Sequence, residues 1–182
     1  MFDDPELAAL RDDTLAGNAM VAELLSTTQP FHQQSVEDAR AGIPGVPQPP
    51  VLDHGVTRSI PGPAGDIDLR IFASDDPKGV YLHFHGGGWV IGSAMSADPK
   101  LDEIAQQAQC VVVSVEYRLA PEHPYPAGPD DCEAAAKWVI ANAEAEWGVS
   151  SMVMGGESAG GHLTALTALR LRDQGQIGRA HV

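Results

Sequence analysis

The residues with the clearest chemical potential lie in VMGGESAGGHL, positions 153 to 163, where Gly156-Glu157-Ser158-Ala159-Gly160 has the form G-x-S-x-G. A serine oxygen attacks a carbonyl only when it stands clear of neighbouring backbone. Glycines two positions either side remove the side chains that would crowd it. A helix beginning directly after Ser158 would also favour negative charge developing on the reacting oxygen. The same glycines fit a tight turn without chemistry. Gly156 and Gly161 also have the spacing of a phosphate-binding loop, but such a loop continues with Lys and then Ser or Thr. Here His162 and Leu163 follow, and Glu157 would put a carboxylate among the phosphates. That reading is rejected; on G-x-S-x-G alone, a turn and a nucleophile both stay open.

HFHGGGWVIG, positions 83 to 92, decides between them. Acyl transfer needs backbone N–H groups aimed at the oxyanion of a tetrahedral intermediate, and a triple-glycine loop exposes such donors without side chains in the way. A glycine loop after one strand, followed later in the chain by G-x-S-x-G after another, is a specific pair that points to a hydrolase-type site.

Both motifs must be held at the ends of neighbouring strands. GVYLHFH (79–85), CVVVSVEY (110–117) and SSMVMG (150–155) are short apolar runs that read as strands, with helical patterns over 96–109, 130–147 and 159–173. Strands alternating with helices indicate a parallel sheet covered on both faces. Two further strands are expected around 56–60 and 67–72. Residues 5–40 read as helical, and GIPGVPQPP (42–50) cannot continue a helix, because proline lacks an N–H and fixes φ. RAHV (179–182) reads as the start of a sixth strand.

HGGGWVIGS (85–93), YRLAPEHPYPA (117–127) and GESAGGHL (156–163) together resemble the hormone-sensitive-lipase-like carboxylesterases of the α/β-hydrolase superfamily, with Glu157 standing where many relatives carry Asp. The resemblance runs from about residue 56 to residue 182. It implies an α/β fold with a mostly parallel hydrolase sheet, incomplete in these 182 residues, in which residues 1–45 form an N-terminal helical cap and 46–182 the N-terminal part of the hydrolase domain. It implies a serine carboxylesterase acting on small to medium acyl esters through an acyl-enzyme on Ser158. The oxyanion hole would be formed by the N–H groups of Gly87, Gly88 and Ala159, and no metal or organic cofactor is required. His85 is expected to brace the glycine loop, and Tyr117, Arg118, Glu122 and Asp131 to hold the segment after the fourth strand.

A nucleophilic serine needs a base, itself oriented by a carboxylate, in the chain order Ser, acid, His. After Ser158 only His162, Asp173 and His181 are available. His162 lies on the nucleophile's own helix, directed away from where a base must stand, and His181 lies in the last strand with only Asp173 before it. Neither fits, so a segment C-terminal to Val182 is expected to supply both groups, and residues 1–182 alone to be inactive. A non-catalytic ligand-binding or receptor protein on the same fold is the alternative. His83 and His85 share a strand face, but no third ligand accompanies them, so no metal site is expected.

The net charge of −14 argues against nucleic acid, whose binding depends on Lys and Arg at phosphates. It argues equally against an anionic membrane surface. No stretch approaches the ~20 apolar residues of a membrane helix, so no stable membrane insertion is expected. The acidic start lacks the pattern of a signal peptide, making the cytoplasm the expected compartment. Cys110 and Cys132 read as buried thiols. A small-molecule ester is the expected partner, and a homo-oligomer is compatible with these features.

Overall fold

The computed structural model describes residues 5–177, so the expected sixth strand and His181 lie outside the described residues. The chain divides into two compact units between Val46 and Pro47. In the first, α1 (Pro5–Thr27) and α2 (Val36–Ala41) are separated by a 3₁₀ turn at Phe31–Gln33, so the helix expected over 5–40 is interrupted. The cause is Pro30, which has no N–H to donate and pushes the preceding residue out of the helical region. The Thr27 and Thr28 hydroxyls donate to Leu24 O at 2.9 and 2.8 Å as α1 ends. Ser35 restarts the helix from an extended conformation, its side chain accepting the Asp38 N–H at 3.0 Å.

The second unit is built on five strands: β1 (Val56–Gly62), β2 (Gly65–Ala73), β3 (Val80–Phe84), β4 (Val111–Val115) and β5 (Met152–Gly156), in the spatial order β1-β2-β4-β3-β5. β2 pairs antiparallel with both neighbours, while β3 pairs parallel with β4 and with β5, so only β2 runs against the others. Helices α3 (Asp98–Gln107), α4 (Ala127–Trp147) and α5 (Ala159–Asp173) complete it. This is a mostly parallel α/β sheet, and among the described residues it is open, with β5 at one edge and Val153 exposed there.

The side-chain alternation of the strands feeds two cores. Val111, Val113 and Val115 of β4, with Val80, Leu82 and Phe84 of β3, pack against Cys132, Ala135 and Val139 of α4 and Leu163 and Leu171 of α5. Val112 and Phe72 face the other way, onto Leu101 and Ala105 of α3. Burial on both sheet faces is why β4 reads as a continuous apolar run. Each such fully buried side chain contributes about 1.5–3 kcal/mol relative to exposure. The α3 side carries one buried ion pair: Arg70 Nε lies 3.2 and 3.1 Å from the two Asp98 oxygens, and the guanidinium also donates to Gly55 O at 2.6 Å. Asp98 in turn accepts the Leu52 N–H at 3.0 Å, so this pair fastens the segment leading into β1.

Candidate active site

Strand register places the two motifs side by side. Phe84 pairs with Gly156 across β3 and β5, so His85-Gly86 and Glu157-Ser158 leave adjacent parallel strands at the same level. The helix that follows β3 packs on one face of the sheet and those flanking β5 on the other. Open α/β sheets bind ligands outside the carboxyl ends of strands at such a divergence. A hollow of about 480 Å³ lies instead at the opposite ends of β3, β4 and β5, lined by Val80, Tyr81, Ile104 and Val153 among others, and includes none of the candidate residues.

Ser158 precedes α5 with φ 52° and ψ −117°, a conformation that non-glycine residues rarely adopt. Serine ahead of a helix ordinarily caps it through its side chain. Ser158 makes no such bond, and it is exposed. The flanking glycines are sterically required. A Cβ on Gly156 would lie 2.2 Å from Phe84 O, and one on Gly160 only 1.9 Å from the same oxygen. Ala159 is buried as the first residue of α5, where helix geometry leaves N–H groups without intrahelical partners.

The glycine loop is braced from two further elements. Gly87 (φ 118°) tolerates no side chain, since a Cβ there would lie 2.0 Å from Ile91 O; Gly88 has φ 60° with open space around it. His85 is buried and acts as expected: its Nδ1 bonds Gly86 O at 2.7 Å and its ring stacks on Tyr117 at 4.2 Å. A carbonyl only accepts, so Nδ1 carries the proton. Burial lowers the His85 pKa, and its Nε2 has no partner among the described residues. The Tyr117 hydroxyl, whose pKa burial raises, donates to His85 O at 2.7 Å. Ala120 N–H reaches Trp89 O at 2.9 Å, and Glu116 accepts the Ala94 N–H at 2.6 Å. Arg118 and Asp131 form a two-pronged pair with both N···O distances at 2.8 Å, and Asp131 also accepts the Arg118 N–H. This is the charge pairing that holds the 117–131 segment.

Sequence reasoning missed Glu157. Its Oε1 accepts the Gly86 N–H at 2.9 Å and its Oε2 bonds His83 Nε2 at 3.0 Å. His83 bonds the buried Ser114 hydroxyl through Nδ1 at 2.9 Å. Burial pushes the Glu157 carboxyl up, but hydrogen bonds from His83 and Gly86 outweigh it and hold the group below its ordinary range. Burial lowers the His83 pKa against the opposing pull of Glu157, which favours a neutral ring. The only signal in the sequence was a carboxylate beside the serine and a histidine two residues before the glycine motif, 74 positions earlier.

No histidine is brought to Ser158 as a base among the described residues. His83 is held between Ser114 and Glu157, and His85 is bonded to Gly86 O. His162 stands edge-on to Trp89, ring centroids 5.4 Å apart. His54 pairs with Asp102 at 3.1 Å, and His32 lies beside Gln33. Among the described residues no cluster of three or more His, Cys, Asp or Glu could hold a metal, and no helix is long and apolar enough to cross a membrane.

A family model described as the alpha/beta hydrolase fold matches residues 81–182. The chain is 43% identical over 149 residues to carboxylesterase NlhH of Mycobacterium tuberculosis, covering 77% of this chain and 46% of that protein. It is 36% identical to esterase LipI of the same organism, covering 94% and 57%. A hyperthermophilic esterase from the archaeon Pyrobaculum calidifontis superimposes with a TM-score of 0.73 at 32% identity, covering 87% of this chain and 53% of that one. The chain therefore spans about half the length of the relatives it matches. The family match and these identities show that the chain belongs to the hormone-sensitive-lipase-like family of the α/β-hydrolase superfamily.

Proposed function

We propose that this chain carries the nucleophile and oxyanion half of a serine carboxylesterase active site. The observation that carries the reading is Ser158 itself, a serine directly ahead of a helix that does not cap it, held at φ 52°. Strain of that kind costs of order 1–3 kcal/mol and persists where function requires it. Support comes from the glycine loop at the same level on the adjacent strand, and from relatives named carboxylesterase and esterase.

In this mechanism Ser158 Oγ attacks the ester carbonyl carbon, and the N–H groups of Gly87, Gly88 and Ala159 stabilise the oxyanion. The base takes the Ser158 proton during this attack and gives it to the departing alkoxide as the intermediate collapses. It then takes a proton from the water that attacks the acyl-enzyme and returns it to Ser158 as the acid leaves. The base and its carboxylate are assigned to a segment outside these 182 residues, because among the described residues no histidine hydrogen-bonds Ser158. The 182 residues alone are accordingly inactive in this reading. Small to medium acyl esters are the proposed substrates. The test is labelling of the full-length protein with a fluorophosphonate, followed by peptide mapping. An adduct on Ser158 is expected, and an adduct confined to any other residue removes the assignment.

A further inference from the structure

Resting on that reading of Ser158, we propose that Glu157 is a positioning residue, whose carboxylate sets the distance between the glycine loop and the reacting serine. Glu157 directly precedes the nucleophile, and the residue it binds, Gly86, directly precedes Gly87 and Gly88. One side chain thus ties the neighbour of the nucleophile to the neighbour of the oxyanion donors, across 71 positions of sequence. The tie is anchored in the sheet: Ser114 on β4 holds His83 on β3, and His83 holds the second carboxylate oxygen.

Packing leaves little slack. A Cβ on Gly86 would lie 3.0 Å from Glu157 O and 3.2 Å from its Cγ, so the two backbones already approach closely. The Glu157 side chain is half exposed. A hydrogen bond from a neutral ring to so exposed a carboxylate contributes little to stability, because water competes for the same oxygens. The contribution expected of this carboxylate is therefore geometric: it fixes where the donors stand, and a misplacement of about 1 Å at a reacting centre can cost about 100-fold in rate. Side-chain length matters more than charge here. Glutamine keeps both bonds, its carbonyl accepting from Gly86 and its amide donating to His83 Nε2 once the neutral ring carries its proton on Nδ1, where the Ser114 hydroxyl accepts it. Aspartate is one methylene too short to span both, and alanine makes neither.

The experiment compares full-length wild type with Glu157→Ala, Glu157→Asp and Glu157→Gln, measuring kcat and KM on p-nitrophenyl butyrate, thermal unfolding, and fluorophosphonate labelling. For Glu157→Ala, kcat should fall about 10- to 100-fold with KM within about twofold and the unfolding midpoint nearly unchanged. Glu157→Gln should recover most of the loss, and Glu157→Asp little. A folded Glu157→Ala protein retaining wild-type kcat overturns the proposal. So does a loss that tracks unfolding temperature across all three variants without rescue by glutamine, which marks a merely structural role. Wild type that is never labelled on Ser158 overturns the nucleophile reading, and the positioning proposal with it; wild type labelled on Ser158 while Glu157→Ala keeps full kcat overturns the positioning proposal alone.

Discussion

Two serines precede helices in this chain and do opposite things. Ser35, at φ −67° and ψ 158°, turns its oxygen back onto the helix, accepting the Asp38 N–H at 3.0 Å and donating to the Asp38 carboxylate at 2.6 Å. Ser158, at φ 52° and ψ −117°, makes no capping bond. Residue type and helical position are the same, so the backbone alone decides whether the hydroxyl is spent on the fold or left without a capping bond. At Ser35 the chain arrives extended from a loop. At Ser158 it arrives from β5 and must reverse within Gly156–Gly160, under a strand end so close that Phe84 O leaves no room for a Cβ at either glycine. A helix cap stabilises the fold; a strained, uncapped serine does the reverse.

The comparison breaks most visibly at Ser158→Ala in the full-length protein. Ester turnover should fall about a millionfold, as when a serine hydrolase loses its nucleophile, while far-UV circular dichroism and unfolding stay close to wild type. Retained turnover would put Ser158 in the same class as Ser35. Next in size is Gly160→Ala. Its methyl must displace Phe84 O from 1.9 Å, so a loss of about 3 kcal/mol in denaturant unfolding is expected, with the serine turn disordered as well. Ser158→Gly sharpens the comparison from the other side. If the turn is strained, glycine should raise stability by about 1–2 kcal/mol while abolishing turnover. An unchanged unfolding curve would show that no strain is stored there. The smallest effect belongs to Ser35→Ala: loss of about 1 kcal/mol from its helix, read as roughly fivefold faster hydrogen exchange at the Asp38 amide.

The elements and both motifs were legible because each is a local pattern. Val111 to Val115 reads as a strand from composition alone, and the glycines around Ser158 announce a turn wherever they fall in the fold. The break at Pro30 was equally local, and the expected helix over 5–40 ran past it although proline at that position argues against continuation. Glu157 was different. Beside Ser158 it looked like a minor departure from aspartate, because nothing in GESAGG records that Gly86 will lie 2.9 Å from its carboxylate. Nor does HFHGGG separate the roles of its two histidines. Their i, i+2 spacing suggests one strand face, but β3 ends at Phe84, so His83 meets a hydroxyl from β4 and the carboxylate just after β5, while His85, past the strand, meets the ring of Tyr117.

Sequence by itself therefore determined the class of fold, the serine, and the glycines that clear space around it. Periodicity, steric demand and backbone freedom are properties of residues and their immediate neighbours, and they survive in a one-dimensional string. Only the tertiary structure decided that Phe84 pairs with Gly156, which brings the two motifs to one level, and that a single carboxylate then bridges them. Hydrogen bonds act over about 3 Å. Partners 71 and 74 positions apart come within that range only after β3 and β5 have paired in one register, and that register is a property of the folded sheet.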